Sequence, residues 1–440
     1  MHTTAKISSA LKTTFVSLKY KNFRYFWIGQ CISLTGTWMQ RTAQVWLVYT
    51  ITKSPLLVGL LGVCQFMPML LFTLFAGVFV DRFPKRNILI MTQTVFMTLG
   101  FTMTLLVFLG IVKYWQILVI TTLFGFAQTV DMPARQSFFI ELVGKKDIMN
   151  GISLNSTIFN LAKIVGPAIS GIVMVKFGAA FCFLVDAVSY IAVIGGLFMI
   201  RTDYVAPQRV RRQVVQEIKE GLKYIKSNET LVINSLVMAV ICTFAFNNDI
   251  IIPVFAKTVL NQGASIYTGL MSAAGIGSFI AAIVMATIAK YGIKKNMFVM
   301  CAVATSCMQV LMIFARNYGL ALFMVAVIGF INMAFLNLCN SLFQVNTSSE
   351  YRGRVMSVYS FLNQGSTPIG NLYSGSMMER FSGISGFPAC GTAALLLLIP
   401  VFAIKRKTIS SWLGRAVLIA FERRVPKKWV GFGWYKSKSQ

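Results

Sequence analysis

This chain has little acid and almost no histidine: 13 aspartates and glutamates stand against 41 lysines and arginines in 440 residues, and the one histidine is His2. A histidine proton relay is therefore excluded, and any proton carrier must be a carboxylate. No GxxxxGK[ST] phosphate loop occurs, so ATP does not drive the protein directly. Neither HExxH nor GxSxG is present, and the eight cysteines form no CxxC, so no metal ligand set or enzyme motif is expected. The cysteines fall inside apolar stretches, where they serve as small fillers.

What the chain has in excess is apolar sequence. Hydrophobic residues make up 56%, charged residues 12%, and the mean hydropathy is +0.69; soluble domains carry about a quarter charged residues. A bilayer crossing takes about 20 helical residues. Apolar runs near 22–51, 56–80, 87–110, 116–135, 148–175 and 178–200, then 231–256, 267–289, 296–315, 318–345, 352–377 and 383–404, predict an all-α integral membrane protein of 12 transmembrane helices, six plus six. The expected organisation is an N-terminal arm 1–21, a first six-helix half 22–200, a linker 201–230, a second half 231–404 and a basic tail 405–440. Residues 1–21 lack an apolar core, so the first span itself is expected to direct insertion. Within the linker, Val214, Val215, Ile218, Leu222 and Ile225 recur at helical spacing, which reads as an amphipathic surface helix or a plain connector.

Placement decides what the net charge of +28 means. The termini and even-numbered loops hold 33 of the 41 basic residues, and the odd-numbered loops only six: Lys53, Lys113, Lys176, Lys257, Arg316 and Arg380. Positive residues stay on the cytoplasmic side, so a multi-pass plasma-membrane protein with both termini inside is expected. The tail, with Trp412, Trp429 and Trp434 among its bases, reads as a strip against anionic lipid headgroups rather than a nucleic-acid site. The expected partners are the bilayer and an amphipathic small molecule, with the protein monomeric.

The halves carry a faint repeat. At an offset of 204 residues Ser153 meets Ser357, Gly166 meets Gly370 and Gly171 meets Gly375; at 209, Lys85-Arg86-Asn87 meets Lys294-Lys295-Asn296, while Lys290 takes the place of Asp81. Parallel six-helix repeats around a central site are one architecture for alternating access. The segments Tyr20-Lys-Asn-Phe-Arg24, Gly36-Thr-Trp-Met-Gln40, Gly77-Val-Phe-Val-Asp81-Arg82-Phe-Pro-Lys85-Arg86, Asp131-Met-Pro-Ala-Arg135-Gln136 and Ala162-Lys163-Ile-Val-Gly166-Pro167-Ala-Ile-Ser170-Gly171 resemble the major facilitator superfamily, and within it the enterobactin-exporter and macrolide-efflux branch. The resemblance implies secondary active transport. It also implies that Gly77, Asp81, Arg82, Lys85 and Arg86 form a cytoplasmic gate that latches the halves when the carrier opens outward. The cluster Ala162, Gly166, Pro167, Ser170 and Gly171 resembles the kinked-helix motif of superfamily exporters, with Ala162 and Ser170 where glycines are usual.

Charges inside spans cost roughly 2.5–3.5 kcal/mol each on an insertion scale, so Arg41, Asp131, Lys163, Asp186 and Asp249 are the functional candidates. Arg41 shares a face with Gln30, Thr37 and Gln44; Gln128, Asp131 and Arg135 share another. Asp131 and Asp186 are the first candidates to carry a proton and Asp249 the third. The alternative is that these groups pair for packing, Asp186 with Arg41 or Lys163. Thr37, Gln44 and Gln128, with Asn337, Asn340, Asn363, Gln364, Thr367 and Asn371 of the tenth and eleventh spans, are expected to line a cavity. The expectation is a proton-coupled exporter of a bulky amphipathic compound of siderophore, macrolide or multidrug type, with no cofactor beyond the proton gradient. The alternatives are a lipid transporter of the same fold or a membrane sensor without transport.

Overall fold

The structure, a computed structural model, describes residues 16–200, 214–288, 295–348 and 350–413. Helices α1 (Lys21–Thr52), α2 (Pro55–Arg82), α3 (Lys85–Phe108), α4 (Tyr114–Phe177) and α5 (Ala179–Met199) form the first half. The linker contributes α6 (Val214–Ser227), and the second half holds α7 (Glu229–Phe244), α8 (Asn248–Thr258), α9 (Ala264–Ile288), α10 (Lys295–Leu311), α11 (Tyr318–Val345), α12 (Arg352–Gly365), α13 (Thr367–Arg380) and α14 (Gly386–Ile404). A short α15 (Arg406–Leu413) follows.

Local chemistry sets the turns. Lys53 takes a left-handed conformation (φ 53°) that ends α1, and Ser54 accepts the Leu57 N–H with Pro55 in the first turn, which starts α2. Asn228 and Asn317 cap α7 and α11 by accepting backbone N–H groups. Although α4 runs without a helical break, it contains two apolar stretches, 114–143 and 154–177, each long enough to cross a membrane. Gly151 lies against the Phe139 ring and Val143, which brings the second stretch back beside the first.

Among the described residues, ten segments are long and apolar enough to cross a membrane. The other two expected spans coincide with α1 and with the pair α12 and α13, both richer in polar residues. Apolar side chains such as Val119, Val188, Ile280, Phe323 and Leu396 cover the outside, where a bilayer would take them from water.

Two of the expected spans carry an internal break. The seventh span is not one helix: it breaks at residues 245–247 between α7 and α8, because the Ala245 carbonyl is taken by Gln309 Nε2 (3.0 Å) and Asn332 Nδ2 (3.2 Å). Asn247 Nδ2 serves the Thr243 and Phe244 carbonyls in the same turn (2.8 and 3.2 Å). The eleventh span also breaks, at Ser366, where Pro368 opens α13. The linker helix α6 packs on the second half through Tyr224, stacked on Tyr351 at 4.6 Å, and through an Arg354–Glu220 ion pair of 2.8 Å. The expected tail beyond Leu413, with Trp429 and Trp434, the arm before Val16, Lys290 and Lys294, and the side chains of Ser153 and of Val214–Ile218 lie outside the described residues.

Candidate functional site

The two halves meet along a seam, and its centre is charged. Arg41 of α1 pairs with Asp249 in the first turn of α8 at 2.7 Å, each side chain about a quarter exposed. Arg41 lies over the rings of Trp38 and Phe66 (5.4 and 5.3 Å), and Lys163 approaches the same Trp38 ring at 5.8 Å. Lys163 is within electrostatic reach of both Asp249 and Arg41. A small cavity of about 30 Å³ adjoins the pair, lined by Gln65, Phe66, Phe246, Thr367 and Asn371 among others. Of the polar residues expected to line a cavity, Thr367 and Asn371 of the eleventh span fall on this one; Gln65, Phe66, Phe246 and Trp38 were missed. Nothing in helical spacing marks an aromatic as facing a seam rather than lipid.

The expected pairing of Asp186 with Arg41 or Lys163 is not made, because Asp249 reaches Arg41 from the other half. Asp186 is fully buried and faces hydroxyls: Thr37 Oγ1 donates to Oδ1 (3.3 Å) and the Tyr190 hydroxyl to Oδ2 (3.2 Å). The Thr37 and Tyr190 hydroxyls are themselves 3.3 Å apart. A carboxyl with hydroxyl partners can exchange a proton without breaking an ion pair. Asp131 is the opposite case. Its Oδ2 accepts from Arg135 Nε and Nη2 (2.9 and 2.6 Å), and its Oδ1 from Thr92 and Gln93 (2.7 and 2.8 Å). Arg135 Nη1 is in turn held by Gln30. This closed network fixes α1, α3 and α4 together.

Gln44 belongs with packing rather than with the cavity: it is buried and donates to Thr121 at 2.5 Å. Gln128, Asn337, Asn340, Asn363 and Gln364 are half-buried; Gln344 donates to Asn340, and the Cys242 thiol approaches Asn363 Oδ1 at 3.9 Å.

The cluster from Ala162 to Gly171 packs in two directions. Ala162 is buried, and Gly166 lies against Trp38 and the α1 backbone at Thr35 and Met39, so any side chain there would meet backbone. Ser170 donates to the Met39 carbonyl at 3.1 Å, and Pro167 sits inside the helix. Gly171 faces Thr268 of α9, while Ser272 of α9 donates to the Ile164 carbonyl at 3.3 Å. The cluster thus joins its own half on one side and the partner half on the other.

Hydrogen bonds across the seam gather toward the face that carries Lys53, Lys113 and Lys257. There Ser54 Oγ and Leu56 N–H both donate to Glu379 (2.9 and 3.3 Å), and the Tyr267 hydroxyl donates to the Thr42 carbonyl at 3.2 Å. Trp46 stacks on Tyr267 at 5.4 Å. At the opposite, basic face three bonds among the described residues lie within a half. Lys85 pairs with Glu141 at 3.3 Å, Arg86 Nε donates to the Leu197 carbonyl at 2.7 Å, and Lys405 pairs with Glu229 at 3.2 Å. Arg82 is exposed there, while Gly77 and the side chain of Asp81 lie outside the described residues.

Comparison with known proteins agrees with this architecture. The family described as transmembrane secretion effector, a major facilitator (MFS) family, matches residues 12–419. The chain is 23% identical to the staphyloferrin A transporter of Staphylococcus aureus over 388 residues, covering 87% of this chain and 96% of that one. It is 19% identical to macrolide efflux protein A of Streptococcus pyogenes over 395 residues, covering 87% and 96%. The fold superposes on a bacterial homologue of the human lysosomal transporter Spinster, with a TM-score of 0.66 at 11% identity, covering 87% of this chain and 96% of that one. With an all-helical fold whose halves meet at a charged seam, and with a family match over nearly its whole length, the chain belongs to the major facilitator superfamily, in the family of transmembrane secretion effectors.

Proposed function

We propose that this protein is a proton-coupled exporter of a bulky amphipathic small molecule of the siderophore or macrolide and multidrug type, working by rocking of its two halves. The observation that carries the proposal is the Arg41–Asp249 pair, the one ion pair among the described residues that joins the halves within the span region. Charge at that depth is costly unless it serves a pathway or a switch. The names of the two relatives support such cargo, a staphyloferrin A transporter and a macrolide efflux protein, and the second name supports outward movement.

In this reading the basic face is cytoplasmic and both termini lie inside the plasma membrane, as the bias of lysine and arginine supports. The described conformation is then bonded across its outer seam, with Lys85 and Arg86 engaged inside their own half. Asp186 carries the proton, since its partners are hydroxyls. Asp131, held by Arg135, serves structure.

A second reading rests on a separate observation. An apolar groove of about 710 Å³ lies among α1, α4 and α5, lined by Ile32, Ile169, Leu184, Val185 and Val188 with Gly36 and Ser189 at its floor. Such a groove open to the bilayer suits a lipid substrate moving laterally. Efflux measured in everted vesicles separates the two readings: an imposed pH gradient is expected to drive dye or macrolide uptake, and Asp186→Asn to abolish that dependence. Transport indifferent to the gradient overturns proton coupling, and movement of lysophospholipid alone favours the lipid reading.

A further inference from the structure

We propose that the cargo carries an anionic group, a carboxylate or sulfonate, that binds Arg41 and Lys163 in competition with Asp249. The proposal rests on the transporter reading above and adds to it the sign of the cargo's charge.

The seam holds two cations and one acid. Arg41 is paired with Asp249, but Lys163, set in a membrane-spanning helix, meets the Trp38 ring and has no carboxylate within ion-pair distance among the described residues. The other titratable group that senses this site is Tyr267, whose hydroxyl is committed to the Thr42 carbonyl. The cluster therefore has one positive charge in surplus, which an anion neutralises and a cation aggravates.

Geometry favours exchange of partners over a permanent bond. Arg41 and Asp249 are each partly exposed, so a ligand can reach them. Asp249 holds Arg41 through Nη2, and two anions at one guanidinium repel each other, so an incoming anion weakens the Asp249 contact. Asp249 stands two residues beyond the break in the seventh span, where side chains of Gln309 and Asn332 replace the helical ladder at Ala245. Its backbone can therefore shift without unwinding a continuous helix. Trp38, Phe66 and Phe246 supply the apolar wall that an amphipathic anion needs beside its charge. Occupation of Arg41 by cargo frees Asp249 and removes the ion pair that joins the halves, so binding and release of the seam become one event.

The test uses two dyes of one skeleton, anilinonaphthalene sulfonate and uncharged phenylnaphthylamine, titrated against the purified full chain in nanodiscs. The sulfonate is expected to bind about tenfold more tightly, a difference of about 1.4 kcal/mol. Lys163→Met is expected to collapse that ratio toward one, Lys163→Arg to keep it, and Asp249→Asn to raise sulfonate affinity several-fold by removing the competitor. Size-exclusion profiles of each variant report folding, and Lys163→Arg decides the case if Lys163→Met does not fold. Equal affinities, absence of sulfonate binding, or variants that shift both dyes in parallel overturn the proposal and leave Arg41–Asp249 a packing pair. Vesicle transport of the same dyes separates the two levels. Export of the uncharged dye without any sulfonate preference sinks the anion site alone, whereas a sulfonate preference with neither dye transported sinks the exporter reading alone.

Discussion

The two halves share a plan and differ in their chemistry. In the first half Gly166 packs on α1 and Gly171 on α9 of the other half; in the second, Gly370 packs on the broken seventh span at Thr243 and Asn247, and Gly375 on α2 of the other half at Pro55 and Gly59. Each pair keeps the 204-residue offset, so corresponding glycines make corresponding contacts. Arg41 and Asp249, 208 residues apart, are near-equivalents as well, and they meet each other. Positions close to a two-fold axis face their own counterparts, and here one half supplies the base and the other the acid.

Away from the seam the halves diverge. Both halves bury amides, Gln30, Gln44 and Gln93 in the first and Asn234, Asn247, Gln309, Asn332 and Asn371 in the second, but among the described residues only the first buries carboxylates, Asp131 with Arg135 and Asp186 with Tyr190. The second has two broken spans. There Gln309 and Asn332 satisfy the Ala245 carbonyl that the break frees, without charge. The first half can titrate; the second can bend.

The largest expected effect lies in the titratable half. Arg135→Leu strands the buried Asp131 carboxylate, and removing one partner of a buried pair costs about 3–5 kcal/mol. A large drop in thermal stability in detergent is expected. A variant that melts with the wild type would show that the Asp131 network is not what holds α1, α3 and α4 together.

In the bending half the corresponding change is milder. Gln309→Ala with Asn332→Ala leaves the Ala245 carbonyl without either side-chain donor, a loss of about 1–3 kcal/mol for a buried unsatisfied group. Hydrogen exchange at residues 245–250 is expected to rise while α1, its unbroken counterpart, stays protected. Equal loosening of both would erase the contrast between the halves.

Asp186→Asn should cost least among the buried changes, because an amide keeps an acceptor for one of the Thr37 and Tyr190 hydroxyls and offers an N–H to the other, which can turn to accept it. Melting is expected to stay within about 1 kcal/mol of wild type while gradient-driven transport is lost. Retained gradient dependence would move the proton to another carboxylate.

Class, crossing segments and the glycine repeat were legible because hydropathy, charge bias and small residues at fixed offsets are one-dimensional signals. The intramembrane charges were legible as a set, since each costs energy that must be recovered. Their pairing was not. Asp186 with Arg41 was as reasonable as Asp249 with Arg41, and only the meeting of the halves decides between them. The break at 245–247 was hidden for a similar reason: Ala245, Phe246 and Asn247 look like ordinary span residues, and the amides that stabilise the break, Gln309 and Asn332, come from α10 and α11. Gln44 failed as a cavity residue because its partner Thr121 lies 77 positions away.

The smallest effect sits at the basic face, where each half fastens its own ends. Lys19 lies 2.5 Å from Asp147, which also accepts from the Tyr20 hydroxyl at 2.8 Å. The bond to Asp147 holds the Lys19 ammonium above its ordinary value of 10.5. The sign follows from that direction: the contribution is complete below 10.5, where the folded and unfolded chains both hold the proton, and is lost as pH rises through the folded value. Since half of the Lys19 side chain is in solvent, screening keeps the contribution small. Lys19→Met is therefore expected to melt slightly below wild type at neutral pH and low salt, and to match it both in high salt and at alkaline pH beyond the raised lysine value. A deficit that survives salt and alkali would mean that the lysine stem, packed near Tyr20, matters more than its charge. The first half would then close its basic face by contact, unlike the second, where Lys405 reaches across to Glu229.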